Sequence, residues 1–241
     1  MVALPLLTDL IDLVLLAGCA GCGVPGPQWC AACAATVRTP RTVVGLTGVP
    51  PTVAVGLYEG PLRKALLAYK ERGRRGLAGP FAEMLTGAVR SRAPQRCWLV
   101  PAPSRSAASR ARGGDHVRAL ADIVAARLAA PSTARGRAGT RPAGLSVGVS
   151  NAVRMRAGVR DSVGLDPAAR AANLHGRVLA RIEELPPRGS GVVLIDDVVT
   201  TGSTLRACTA ALASVGVAVC GAVVLCDATG GATRTRWSVR C

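Results

Sequence analysis

Aromatic residues are nearly missing from this chain of 241 residues: Phe, Trp and Tyr together make up 2%. A platform that stacks single-stranded nucleic acid needs several rings on one face. Trp29, Trp98, Trp237, Tyr58, Tyr69 and Phe81 are scattered, so no such platform is expected, although contact with a nucleic-acid backbone stays open. Histidine occurs twice, as His116 and His175. Neither stands in a visible Ser-His-Asp or metal-hydrolase constellation, and each reads as an ordinary loop histidine without a visible partner. Lysine also occurs twice, as Lys64 and Lys70; Lys70 stands at a helix end, where it either reaches a phosphate or is simply exposed. Away from the N-terminus no run of eighteen apolar residues occurs, so no membrane insertion is expected. Residues 2–18 are largely apolar and end in Leu16-Ala17-Gly18-Cys19, which is like a lipoprotein cleavage box. However, no Lys or Arg precedes Cys19, and Asp9 and Asp12 interrupt the stretch. Residues 9–16 therefore read as an amphipathic helix of a cytoplasmic protein.

Acids are scarce as well. Fourteen acids face 30 bases, a net charge of +16. Most of the bases are arginines in a sequence rich in Ala, Gly, Val and Pro, as GC-rich coding produces. The excess still favours polyanionic ligands, phosphorylated metabolites and nucleic acid alike. Hydrophobic residues make up 49%, enough for a core. The length suits one medium domain with a small module.

Cysteine, in contrast, is plentiful, with nine residues. In a cytoplasmic chain this points to metal or redox use rather than a disulfide framework. Cys19, Cys22, Cys30 and Cys33 form C-x2-C-x7-C-x2-C. Each C-x2-C pair turns two thiolates toward one point, and two pairs supply the four soft ligands of a tetrahedral zinc site. Gly23, Pro25, Gly26 and Pro27 provide the reversal between them. A closed site of four thiolates has no position for water, so it is structural rather than catalytic. The alternative is a cluster of small buried thiols. Cys97, Cys208, Cys220, Cys226 and Cys241 show no pairing and read as core or incidental residues.

Further along, residues 38–51 are rich in Thr, Pro and Gly and read as a loop. The β-branched residues 52–57 predict a strand. Pro61 suits the start of a helix carrying Leu62, Ala65, Leu66 and Tyr69 at helical spacing. Residues 77–89 predict another helix and 97–100 a short buried strand ended by Pro101 and Pro103. The basic residues 105–116 predict a loop, 117–128 a helix, 131–144 a mobile segment and 145–153 a weak strand. A short helix is predicted at 167–174, capped by Asp166, then a strand at 192–195, a helix at 203–214 and a buried strand at 217–225. The polar tail from Asp227 is expected to fray. Strands alternating with helices imply a largely parallel α/β sheet.

The most specific stretch is Val192-Val193-Leu194-Ile195-Asp196-Asp197-Val198-Val199-Thr200-Thr201-Gly202-Ser203-Thr204. An apolar strand delivers two acids to the carboxyl edge of the sheet, where ligands of open α/β sheets sit. The chain is expected to be turning already at the acids, so that both face the ligand. Unpaired N–H groups at the following helix start attract phosphate, and Gly202 lets the backbone approach. Thr200, Thr201, Ser203 and Thr204 add hydroxyl donors. Carboxylates beside a phosphate cradle suit a ribose 5-phosphate, which offers both hydroxyls and phosphate. A bare turn with a capped helix is the alternative.

This string resembles the phosphoribosyl-pyrophosphate motif of type I phosphoribosyltransferases. The resemblance implies that Asp196 and Asp197 contact the ribose hydroxyls, in the catalytic role, and that residues 200–204 hold the 5-phosphate. It further implies a pyrophosphate loop, used with magnesium, for which Val100-Pro101-Ala102-Pro103-Ser104 has the right place. The cysteine module, Tyr58-Glu59-Gly60, Leu62-Arg63, Lys70, Arg110, Arg112-Gly113, Arg160-Asp161, Gly164-Leu165, Arg170 and Asn173-Leu174 together resemble the competence-related ComF family of phosphoribosyltransferases. That family usually reads Arg-Gly-Phe-Asn where this chain has Arg112-Gly113-Gly114-Asp115-His116. Arg110 and Arg112 suit bidentate contact with pyrophosphate, or else form a solvated basic loop. The expected organisation is a helix and zinc module over 1–50, a type I phosphoribosyltransferase domain over 51–228, mostly parallel and flanked by helices, and a tail over 229–241. Structural zinc and magnesium are the expected metals. Phosphoribosyl pyrophosphate or a nucleotide is the expected ligand. Single-stranded DNA or the DNA-uptake machinery is the alternative partner.

Overall fold

A computed structural model describes residues 18–37, 39–91, 93–103, 115–130, 146–156 and 178–230. The readings for residues 9–16, Ser104, Arg110, Arg112, residues 131–144, 167–174, His175 and the far tail lie outside these residues.

The sheet follows from runs of β-branched and other apolar residues that bury both of their faces. Strand β2 (Thr52–Leu57), β3 (Arg96–Pro101), β4 (Ser146–Val149), β7 (Gly191–Val199) and β8 (Gly221–Asp227) are parallel, and the short β1 (Arg41–Thr42) adds antiparallel to β2. The order across this six-stranded sheet is β1-β2-β8-β7-β3-β4. A separate antiparallel pair joins β5 (Val153–Met155) to β6 (Val178–Ala180). Alternate residues of the strands feed two hydrophobic clusters. Val53, Leu99, Val193, Ile195, Val223 and Leu225 pack under α2 (Gly60–Glu71), α3 (Ala78–Arg90) and α4 (His116–Ala129). Ala54, Val100, Val192, Leu194 and Val224 face α5 (Ser203–Ala213) and the small sheet. The sheet is thus covered on both faces, as a parallel sheet requires.

Several expectations shift by local physics. The predicted strand at 145–153 is two strands in different sheets, because β4 stops at Val149 and the chain bends before Val153. Part of the expected loop at 38–51 joins the sheet as β1. Residues 217–220 are not strand, since β8 starts only at Gly221, where its pairing with β7 begins. Asp227, taken as the start of a fraying tail, is the buried last residue of β8 and accepts from Thr229 N and Oγ1. The largest change concerns β7. It does not end at Ile195 but runs through both acids to Val199, because β8 continues to pair with it as far as Val199↔Asp227. Among the described residues, no helix is long and apolar enough to cross a membrane.

Candidate functional site

Topology marks one place on the sheet for a ligand. From β7 the chain crosses over through α5 to β8 on one side; from β3 it passes through α4 to β4 on the other. Neighbouring strands whose crossovers depart in opposite directions leave a crevice at their carboxyl ends. Both sequence-predicted segments open there. Pro101 lies opposite Ile195, and Ala102 N donates to Ile195 O at 2.8 Å. Asp196 and Asp197 follow directly on β7, and residues 200–202 link it to α5.

Gly202 sits at the N-cap of α5 with φ 70°, in the left-handed region, and no side chain caps the helix. A Cβ at this position would stand 2.9 Å from Val49 Cγ1. Glycine therefore supplies both the backbone conformation and the space. The segment behind it is tied down by Arg206, whose Nε and Nη2 donate to Thr47 O at 3.0 and 2.9 Å. Thr201 Oγ1 donates to Ser203 Oγ at 3.1 Å. Asp196, Thr200, Gly202, Ser203 and Thr204 line a small hollow over this helix start. A larger cavity of about 450 Å³ lies two strands away, between β2 and the end of α1 (Ala31–Thr36). It touches none of residues 196–204.

Because β7 stays extended through the acids, they point to opposite faces. Asp196 lies on the α5 side, partly buried, with its Oδ1 accepting from Asp197 N at 2.8 Å. Burial, reinforced by the Asp197 charge, pushes its carboxyl up to about 8. Asp197 lies on the α2–α4 side and is only 7% exposed. Its Oδ2 accepts from Lys70 Nζ at 2.8 Å and from His116 Nε2. Burial opposes its ionisation, but the His116 hydrogen bond and the Lys70 charge outweigh it and hold the carboxyl below its usual range. The expectation of two acids turned together toward one ligand is corrected accordingly.

Sequence reasoning missed Lys70 and His116 as partners of Asp197. Lys70 is in the last turn of α2 rather than simply exposed. His116 is the first residue of α4, not a loop residue. Asp115 Oδ1 caps that helix by accepting from Val117 N and Arg118 N at 3.1 and 3.2 Å. An Asp ahead of an apolar periodic run was the available signal for the helix start. Nothing in the local pattern signalled contact with Asp197.

The four cysteines come together as predicted. Their sulfurs all lie within 4.8 Å of one another. Cys19 and Cys33 sulfurs are 3.6 Å apart and those of Cys22 and Cys30 3.7 Å. A tetrahedron with zinc–sulfur bonds of about 2.3 Å has edges of about 3.8 Å, so the set is compatible with a structural zinc ion. Despite burial, backbone N–H groups of Cys30, Cys22 and Gly21 bring the Cys19 thiol down to about 6, whereas burial and the neighbouring sulfurs push Cys33 up. Four thiolates this close need a cation to ionise together. Trp29 fixes the module on the domain by packing edge-on against Phe81 at 6.4 Å. Cys97, Cys208 and Cys226 are buried, with thiols pushed up by burial, and read as core residues.

No curated protein matches the chain. Residues 120–239 match the protein family described as phosphoribosyl transferase domain. The match takes in β7, the loop after it and β8, while β2 and β3 lie before it and are hydrogen-bonded to β8 and β7. The chain carries a phosphoribosyltransferase domain whose sheet extends beyond the matched residues.

Proposed function

We propose that this protein binds phosphoribosyl pyrophosphate at the carboxyl ends of β3 and β7 and transfers its phosphoribosyl group to an acceptor. The observation that carries the reading is the direct succession, at the switch point of the sheet, of Asp196, Asp197 and the glycine-hinged helix start at Gly202. Thr200, Thr201, Gly202, Ser203 and Thr204 would hold the 5-phosphate by hydroxyls and main-chain N–H groups. Asp197 would accept from a ribose hydroxyl and counter the positive charge developing at the ribose carbon, while Asp196, on the other face, would border the phosphate hollow. Pro101, Ala102 and Pro103, with Arg112, would border the departing pyrophosphate. In the reaction the bond from the ribose carbon to pyrophosphate oxygen breaks, a bond to the acceptor forms, and the acceptor loses a proton. Magnesium would neutralise charge on the departing pyrophosphate, with phosphate oxygens and water supplying most of its ligands.

The four-cysteine cluster ahead of such a domain supports a structural zinc ion and the narrower ComF-type reading, with module, transferase domain and tail divided near residues 50 and 228. The test is pyrophosphate release from phosphoribosyl pyrophosphate with magnesium across a panel of bases and amines. Release is expected with at least one acceptor and is expected to be lost in Asp197→Asn. The charge of +16 favours a second reading, an accessory protein that holds DNA backbones. Turnover with no acceptor, together with DNA affinity that falls steeply with salt, would replace the first reading by the second.

A further inference from the structure

The carboxyl end of β7 is held unevenly. Its pairing with β8 runs to Val199↔Asp227. Its pairing with β3 ends at Pro101↔Ile195, followed by the Ala102 N to Ile195 O bond. From Asp196 onward the side toward β3 has no ladder beside it among the described residues. Here Lys70 and His116 grip the Asp197 carboxylate from two different helices, α2 and α4.

The grip is built rather than incidental. The His116 and Asp197 side chains are each 10% exposed and that of Lys70 is 26% exposed. The Tyr69 hydroxyl donates to His116 O at 3.3 Å, and its ring stands edge-on to the imidazole at 6.0 Å. The other ring nitrogen of His116, Nδ1, is buried without a hydrogen-bond partner among the described residues. Among those residues the imidazole therefore bonds to Asp197 alone. Burying such a group costs free energy, and a buried ion pair is often no more stabilising than apolar residues of the same shape. A gain in stability is thus a poor reason for the arrangement. Geometry is a better one. Both bonds fall on Oδ2, so among the described residues Oδ1 keeps its lone pairs.

We propose that Lys70 and His116 are positioning residues, which hold Asp197 by Oδ2 so that Oδ1 is presented to the 2-hydroxyl of a bound ribose 5-phosphate. This rests on the reading of the edge as a ribose 5-phosphate site. It adds the residues that make one of its acids a fixed hydroxyl acceptor. The carboxylate is fixed before the sugar arrives, so the hydrogen bond is made without first ordering the side chain.

The experiment is calorimetric titration of the full chain with ribose 5-phosphate and with 2-deoxyribose 5-phosphate. The wild type is compared with Lys70→Met, Lys70→Arg, His116→Phe and His116→Gln, each checked for an unchanged unfolding temperature. The wild type should prefer ribose 5-phosphate by about tenfold, the effect of one hydrogen bond to a charged group. Lys70→Met and His116→Phe should bind both sugars with the affinity that the wild type shows for the deoxy sugar. Lys70→Arg and His116→Gln each keep a donor and should restore most of the preference. A merely structural role would weaken both sugars together. Preference retained in Lys70→Met and His116→Phe overturns the positioning role and leaves the ribose-phosphate reading standing. Equal binding of the two sugars by the wild type removes the hydroxyl contact and the proposal with it. No binding of either sugar by the wild type removes the ribose-phosphate reading itself.

Discussion

The four-cysteine cluster and the end of β7 gather polar groups in opposite ways. The cluster draws all its ligands from residues 19–33, and a single reversal closes it. The end of β7 draws its two acids from neighbouring positions, yet the groups that hold Asp197 come from positions 70 and 116 on separate helices. In the first case spacing along the chain dictates geometry. In the second, geometry appears only after the sheet has placed two helices beside one strand.

The sharpest way to break this contrast is to remove one thiolate. Cys33→Ser leaves three strong ligands, so zinc measured by elemental analysis should fall well below about one per chain. Its unfolding temperature in scanning calorimetry should drop by about 10 °C, as loss of a few kcal/mol does at this chain length. If the two regions are separate constructions, ribose 5-phosphate affinity measured below the transition should change by less than about threefold. A larger loss would join them.

A smaller effect is expected at Gly202. Gly202→Ala forces a Cβ into the left-handed region and against Val49 Cγ1 at 2.9 Å. Urea unfolding should show a loss of about 1–2 kcal/mol. Inorganic phosphate binding should weaken, because the helix start can no longer close on the anion.

A further test separates the two acids themselves. Asp196 is raised to about 8. From its unfolded value of about 4 up to that point, the folded state keeps a proton that the unfolded chain releases, so stability falls as pH rises through this window. Asp197 is lowered; its contribution is present above the unfolded value and is lost as pH falls through the folded one. Asp196→Asn removes only the first slope. Its unfolding temperature should decline less than that of the wild type between pH 5 and pH 8, and equal declines would show that Asp196 does not keep a proton in the fold.

How much was legible in the sequence follows the same division. Residues 52–57 read as a strand from β-branched side chains alone, and the cysteine spacing foretold a cluster that the fold delivers. The motif from Val192 to Thr204 gave the acids and the loop in order. The end of β7 was misplaced because Asp-Asp is a poor strand sequence in isolation, and what extends it is pairing with β8, a neighbour that no local pattern announces. His116 looked unpartnered for a similar reason: the partner lies 81 residues away along the chain. The cap at Asp115 was a local signal that the basic, glycine-containing run before it obscured.

The position of β8 has a consequence for how the chain is made. Among the described residues it lies between β2 and β7 and follows every other strand along the chain. Until residues 221–227 leave the ribosome, β1 and β2 have no bond to the β7-β3-β4 half. From the completion of β4 until then, the nascent protein carries two sheet fragments with bare edges. Closure across more than 160 residues is a slow step with aggregation as its competitor. A chain truncated just before Gly221 would lose not an edge but the seam that joins the two halves.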